Sequence, residues 1–331
     1  MNNLVLYIIF LLLAVFGLDA NAQNLVPNHS FEDTVSCPTG MAQFSAVASW
    51  FNPTTGSPDY YNRCYGELPS GSFGAGIPAN EIGYQEAQDG DAYAGLLTFY
   101  GGNEFSNFRE YIAIELNGEL EGGIEYYWCM YVSLADSVEY YSNNIGIAFT
   151  YEMATDFSTP YMLLELPVYD NWDSPVSDYV NWTKIGGVFT AEGGENFLYI
   201  GNFFSDNETE AVKFQDNDVG EASAYYFIDN VYLGTHPCIE PSIEIPNVFT
   251  PNKDGINDLF RTNDEGLLNK EMIILNRWGN VVFEGSGSEG WDGTNKNGKE
   301  CVEGVYFVKA TYTNLLNNEK ETKTGYVHLI R

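Results

Sequence analysis

EYYWCMYVSL, Glu125 to Leu134, decides the fold of the longer part of this chain. Ten residues crowded with aromatic and β-branched side chains, free of glycine and proline, suit a pleated sheet surface better than a helix. Working outward, the same composition returns in NIGIAFTYEM (144–153), WTKIGGVFTA (182–191), NFLYIGNFF (196–204) and AYYFIDNVYL (224–233), with Gly, Asn, Asp or Pro around the runs. No comparable amphipathic stretch of helical length interrupts them. Short strands at this spacing predict an all-β, two-sheet sandwich carrying long loops. The turn-rich regions Pro53 to Asp91 and Leu166 to Asn181 are expected to be those loops.

Beyond this sandwich, HPCIEPSIEIP (236–246) holds three prolines in 11 residues and reads as a linker, placed at 236–242. A second all-β domain is expected over 243–331. EMIILNR and NVVFE flank Trp278-Gly279 as a tight hairpin, and VYFVKATYT and ETKTGYVHLI flank Asn317-Asn318 as another. With strands near Asn247 to Thr250 and Leu259 to Arg261, six or seven strands predict an immunoglobulin-like sandwich. The first domain spans 23–235. Ahead of it lies the apolar run Leu4 to Leu18, then Ala20-Asn21-Ala22, a small-x-small signal peptidase site before Gln23. At 1.5 Å per residue that run reaches roughly 22 Å, short of the ~30 Å hydrocarbon core, so 1–22 is expected to be a signal peptide. No later stretch is long and apolar enough to span a bilayer, so no transmembrane anchor is expected in the mature chain.

The charges divide unevenly. Residues 242–331 hold 10 Lys+Arg and 13 Asp+Glu, whereas residues 1–241 hold 4 and 33. Such a first domain repels nucleic acid and anionic membranes. Its acidity serves solubility, or some of its carboxylates hold calcium.

Five blocks in the second domain carry a family signal: PNVFTPNKDGIND, NRWGNVVFE, WDG, GVYFV and HLIR. In order and spacing they resemble the gliding-motility-associated C-terminal domain of Bacteroidetes, the type B sorting domain of the type IX secretion system. The resemblance implies passage to the periplasm, recognition by the type IX machinery, and a destination outside the cell or on its surface. Arg277, Trp278, Gly279, Ile330 and Arg331 are the expected recognition residues. Trp278, Trp291 and Gly279 also suit a purely architectural role, Gly279 at a turn position with positive φ.

NLVPNHSFE (24–32) and YFIDNVYL (226–233) resemble the opening and closing strands of galactose-binding-like jelly rolls, the architecture of many carbohydrate-binding modules. That resemblance implies a jelly-roll-like sandwich whose ends are neighbours, and a structural calcium held by Glu32 and Asp229. The interior motifs SPDYYNRCYG, GYQEAQDGDAYAGL, FREYIAIEL and YIGNFF resemble an uncharacterised domain of Bacteroidetes surface proteins. Sugar binding needs aromatic faces and converging polar groups. Aromatics in loops are the candidates, because a turn buries them poorly: Trp50, Tyr60, Tyr61, Tyr65 and Trp172, with Asp59, Asn62 and Arg63 supplying hydrogen bonds. The competing expectation has Trp50 plugging the sandwich edge and Tyr60-Tyr61 packing on the loop closed by Cys37 and Cys64.

An exported chain sits where disulfides persist. Cys37 and Cys64, both in turn-rich sequence, are the expected pair. Cys129 reads as a small buried hydrophobe on a strand, and the odd count leaves Cys238 or Cys301 unpaired. PNKDGIND resembles a calcium loop, but with Gly255 at position six of an EF-hand, Arg261 falls where the bidentate Glu belongs. A turn in which Asp254 and Asn257 satisfy backbone amides is expected instead, and SDNETE (205–210) and QDNDVGE (215–221) are expected to be solvated loops. The chain has no GxSxG, HExxH or P-loop signature and no ExDxxE glucanase pattern. It therefore reads as a non-catalytic exported binding or adhesion protein whose first domain takes a glycan. A structural surface protein without a small ligand and a polysaccharide-active enzyme are the alternatives.

Overall fold

The computed structural model describes residues 24–66, 74–102, 106–154, 168–169, 175–215, 222–239, 242–286, 289–314 and 319–331. The expected signal peptide, 1–22, Trp172 and most of QDNDVGE lie outside them. In the first domain the strands are β1 (Trp50–Phe51), β2 (Asp59–Asn62), β3 (Ala92–Tyr100), β4 (Ile112–Glu115), β5 (Glu125–Leu134), β6 (Tyr140–Ser142), β7 (Ile145–Thr150), β8 (Val168–Tyr169), β9 (Thr183–Thr190), β10 (Phe197–Asn202), β11 (Ala211–Lys213) and β12 (Ser223–Gly234). They build two antiparallel five-stranded sheets, β1-β4-β10-β7-β8 and β2-β3-β12-β5-β9, with a β6-β11 ribbon beside them.

Side-chain alternation puts the two sheets face to face. In the first sheet Ile112, Ile114, Ile147, Phe149, Leu198 and Ile200 enter the shared core, while Ala113, Ala148 and Tyr199 form a second cluster on the opposite face. The register agrees: Ile114 and Phe149 both oppose Leu198, and Ala113 and Ala148 both oppose Tyr199. In the second sheet, β12 and most of β3 are buried on both faces. Along β12 only Asn230 escapes full burial, which is why AYYFIDNVYL reads as a near-continuous apolar run.

The chain ends of this domain meet. Leu25 N–H donates to Leu233 O at 2.8 Å, Val231 N–H to His29 O at 2.8 Å, and the Asn24 side chain both donates to Val231 O and accepts from Leu233 N–H. The opening motif does this as a turn-rich segment rather than a strand, because Asn28 and Phe31 adopt positive φ. Two disulfides brace the sandwich, Cys37–Cys64 and Cys129–Cys238. The second corrects the reading of Cys129 as a plain hydrophobe: the residue faces away from the main core toward Tyr232 and the start of the linker. Cys301 is the free, buried thiol.

The second domain contains β13 (Ser242–Glu244), β14 (Val248–Phe249), β15 (Asn263–Glu265), β16 (Leu267–Leu275), β17 (Val281–Ser286), β18 (Gly304–Asn314) and β19 (Lys320–Leu329). Five form the sheet β14-β19-β18-β16-β17, with β14 parallel to β19, and β13-β15 form a ribbon. Phe249, Phe260, Met272, Ile274, Tyr306, Val308 and Leu329 surround a fully buried Trp291, whose indole N–H reaches Thr294 O at 2.7 Å. In the PNKDGIND turn Asp254 accepts from Ile256 N–H, and Asp258, rather than Asn257, accepts from Lys253 and Gly255 N–H.

Candidate functional site

One face of the second sheet of the first domain carries a cavity of about 680 Å³ above β2, β3 and β12. Its floor is made by Asp59, Leu97 and Tyr225. Its walls are Met41, Ile82, Tyr100, Phe108, Val138 and the side chain of Glu110, which immediately precedes Tyr111 and β4. Gly95 makes this geometry possible: a Cβ there would lie 2.2 Å from the Tyr225 hydroxyl and 2.7 Å from the Tyr61 ring. Without a side chain at 95, both tyrosines approach the strand closely.

Two buried carboxyls anchor the site, Asp59 at 5% exposure and Glu110 at 4%. Asp59 accepts from Ala42 N–H and from the Tyr225 hydroxyl, each at 2.5 Å. Because Tyr225 gives its proton to Asp59, the Tyr61 hydroxyl at 3.0 Å donates to Tyr225. Ala42 points its N–H inward from a left-handed conformation, φ 58°, strain of a kind that gathers at functional sites. Glu110 accepts from Ser57 N–H and Oγ on one oxygen and from Leu97 N–H on the other, all at 2.9 Å.

Burial drives both groups toward the neutral form. The Asp59 carboxyl is pushed up to about 6, by desolvation first and by the charge of Glu81, against the opposing bonds from Tyr225 and Ala42. Glu110 is pushed up to about 7, by desolvation and then by the charge of Asp59, against the bonds from Leu97 and Ser57. The Tyr61 and Tyr225 hydroxyls are held well above their ordinary values by burial and by Asp59.

The expected ligand-binding aromatics fall elsewhere. Trp50, 4% exposed, lies on β1, stacks 4.9 Å from Phe31 and donates to Asn28 O. Tyr60 and Tyr61 are not loop residues but the centre of β2, fully buried, with the Tyr60 hydroxyl bonded to Phe31 O. This corrects their reading as free aromatic faces: their rings are core, and β2 contributes Asp59 instead. Tyr65 is half-buried against that core. Arg63 stands exposed, paired with Glu86 at 3.0 Å and Asp91 at 2.6 Å. Sequence reading missed Glu110 and Tyr225, although FREYIAIEL and AYYFIDNVYL contain them.

Glu32 and Asp229, the pair expected to hold calcium, flank a single loop. Asp229, fully buried, accepts from Gln88, Asp89 and Asn230 N–H at 2.7–3.0 Å, and Glu32 accepts from Asp91 N–H at 2.8 Å. Desolvation raises both carboxyls, against these same bonds. Amide hydrogens face both carboxyls, and no group of three or more His, Cys, Asp or Glu among the described residues is arranged to hold a metal. As placed, the two carboxyls hold the 88–91 loop through its amide hydrogens.

In the second domain the expected recognition residues split in two. Trp278 is 67% exposed at the tip of the β16–β17 hairpin, capped by the Arg277 guanidinium 4.3 Å from its ring, with Gly279 at φ +80°. Ile330 is exposed, while Arg331 is tied down: its N–H reaches Glu303, and its guanidinium reaches the carbonyls of Cys301 and Gly293. The five ordered blocks, the buried Trp291 and this hairpin belong to one unit. Residues 243–329 match the CHU_C type IX secretion signal domain. The CHU_C domain marks the chain for sorting by the type IX machinery, to the cell surface or outside the cell. Among the described residues no helix is long and apolar enough to cross a membrane.

No curated protein matches the chain. Similar solved structures include the CBM22-1 and GH10 modules of a Clostridium thermocellum endo-1,4-β-D-xylanase complexed with xylohexaose, at 12% identity over 56% of this chain and 26% of that one, TM-score 0.31. The K1 cleaved adhesin domain of Lys-gingipain from Porphyromonas gingivalis aligns at 13% identity over 62% of this chain and 96% of its own, TM-score 0.29. A putative sugar binding protein from Bacteroides thetaiotaomicron aligns at 13% over 65% and 100%, TM-score 0.30. Against the xylanase the chain thus spans about a quarter of the other protein's length.

Proposed function

We propose that the CHU_C domain delivers a binding module, and that the first domain takes a glycan in the cavity above β2, β3 and β12. The observation that carries this reading is the cavity itself. Its volume falls within the roughly 300–1,000 Å³ of small-ligand sites, and its walls combine aromatic and aliphatic side chains with a few fixed polar groups. Tyr100 and Phe108 offer apolar faces for a pyranose ring, and Asp59, Glu110 and the serines offer acceptors for its hydroxyls.

Binding rather than turnover fits the carboxyls. Each already accepts bonds on both oxygens from groups fixed by the fold, which suits holding a ligand more than shuttling protons. The test is a panel of polysaccharides and oligosaccharides against the purified protein, read by calorimetry, with Phe108→Ala as the control that removes one wall. Binding lost in that variant supports the reading. Absence of binding across the panel, or steady release of shortened products, overturns it.

A further inference from the structure

Every basic side chain of residues 1–241 is committed away from this cavity. There are four. Arg63 pairs with Glu86 and Asp91, Arg109 with Asp206 at 2.8 Å, Lys213 with Glu139 at 3.1 Å, and Lys184 donates to Cys238 O at 2.6 Å. Arg109 is the telling case. It adjoins Glu110 in sequence, yet its fully buried guanidinium turns the other way, bonding Phe108 O and Phe204 O and lying 5.6 Å from the centre of the Phe99 ring.

The charged residues that line the cavity are Asp59 from β2, Glu110 from the segment before β4, and Glu81 from the loop ahead of β3. The other polar side chains there are the hydroxyls of Ser57, Tyr100, Ser137, Ser223 and Tyr225. Two of those hydrogens are already spent, Ser57 on Glu110 and Tyr225 on Asp59. The cavity therefore sets three carboxyls against no basic side chain, and is negative without an internal counter-ion. Buried carboxylates call for a positive partner, and the Lys and Arg side chains of the first domain are all engaged elsewhere.

We infer that the cavity is built for a ligand presenting a protonated amine, specifically an amino sugar with its nitrogen unacetylated. An ammonium supplies three donors and the missing charge together. The sugar ring supplies the apolar face for Tyr100 and Phe108. This inference rests on the glycan-binding reading and narrows it to one chemical class.

The experiment compares three β-1,4-linked trimers on the full purified protein by titration calorimetry: the glucosamine trimer, its N-acetylated counterpart and the glucose trimer. The glucosamine trimer is expected to bind on the order of tenfold or more tighter than the other two, the gain of one charge-assisted bond over a neutral one. Glu110→Gln should remove most of that preference. Glu81→Gln, at the exposed rim, should reduce it without touching the buried bonds, and keeps the test usable if the first variant fails to fold. Equal or tighter binding of a neutral trimer overturns the amine assignment and leaves the glycan reading standing. Binding of none of the three, with the protein folded, overturns the amine assignment, and the wider polysaccharide panel then decides the glycan reading.

Discussion

Glu110 makes stability fall as pH rises. In the unfolded chain its carboxyl titrates near 4.5, and in the folded protein burial pushes it up to about 7. Between those values the folded state binds more protons than the unfolded one, so each step upward in pH costs stability. Below 4.5 both states hold the proton and the penalty vanishes; above 7 it is complete. Working the linkage between pH 5 and pH 8 gives a loss of roughly 2 to 3 kcal/mol from this one residue. For a domain of this size that corresponds to roughly 5–10 °C in melting temperature. The assay is thermal or urea unfolding of wild type and Glu110→Gln at both pH values. The amide removes the titration while leaving one acceptor for Ser57 or Leu97, so Gln lowers stability at pH 5 but flattens the slope. Parallel pH dependences in the two proteins would refute the argument, because the carboxyl would then ionise alike in both states.

Three further outcomes are expected. Removing Cys129–Cys238, which closes a separation of 109 residues, should cost about 4.8 kcal/mol in the chain-entropy model, against about 3.6 kcal/mol for Cys37–Cys64 with its separation of 27; equal or reversed costs in urea melts would contradict the pairing. Trp278→Ala, at an exposed hairpin tip, should shift stability by no more than about 0.5 kcal/mol yet leave the protein in the periplasm of a type IX-competent cell, and normal export of that variant would exclude Trp278 from recognition. Because amide hydrogens satisfy Glu32 and Asp229, excess EDTA should leave the melt of the first domain unchanged, whereas a drop of several degrees would place a cation there.

The long strands were legible because their signal is local. EYYWCMYVSL and AYYFIDNVYL carry aromatic and β-branched residues in unbroken runs, and both became strands of the second sheet. DYYN gave no such signal. Four residues between Pro58 and Arg63, among glycines and asparagines, read as loop, and only pairing with β3 makes them a strand. The cavity was harder still, since its residues come from separate segments between Met41 and Tyr225. Asp59 and Glu110 both lay in motifs picked out on resemblance, SPDYYNRCYG and FREYIAIEL, but nothing in either motif says that the other is its neighbour. Cys129 hid for a similar reason: a thiol within an apolar strand looks like any small core residue until the linker folds back to it.

The Cys129–Cys238 bridge also has a mechanical meaning. β12 is the central strand of its sheet and runs directly toward the linker. Tension on the CHU_C domain, as when a cargo is drawn outward by its tag, would otherwise fall on β12 and begin to strip it from its neighbours. With Cys238 bonded to Cys129 on the adjacent β5, the load divides between two strands at the point of attachment. The CHU_C domain is thus tied by a covalent bracket to two strands of the second sheet rather than to β12 alone.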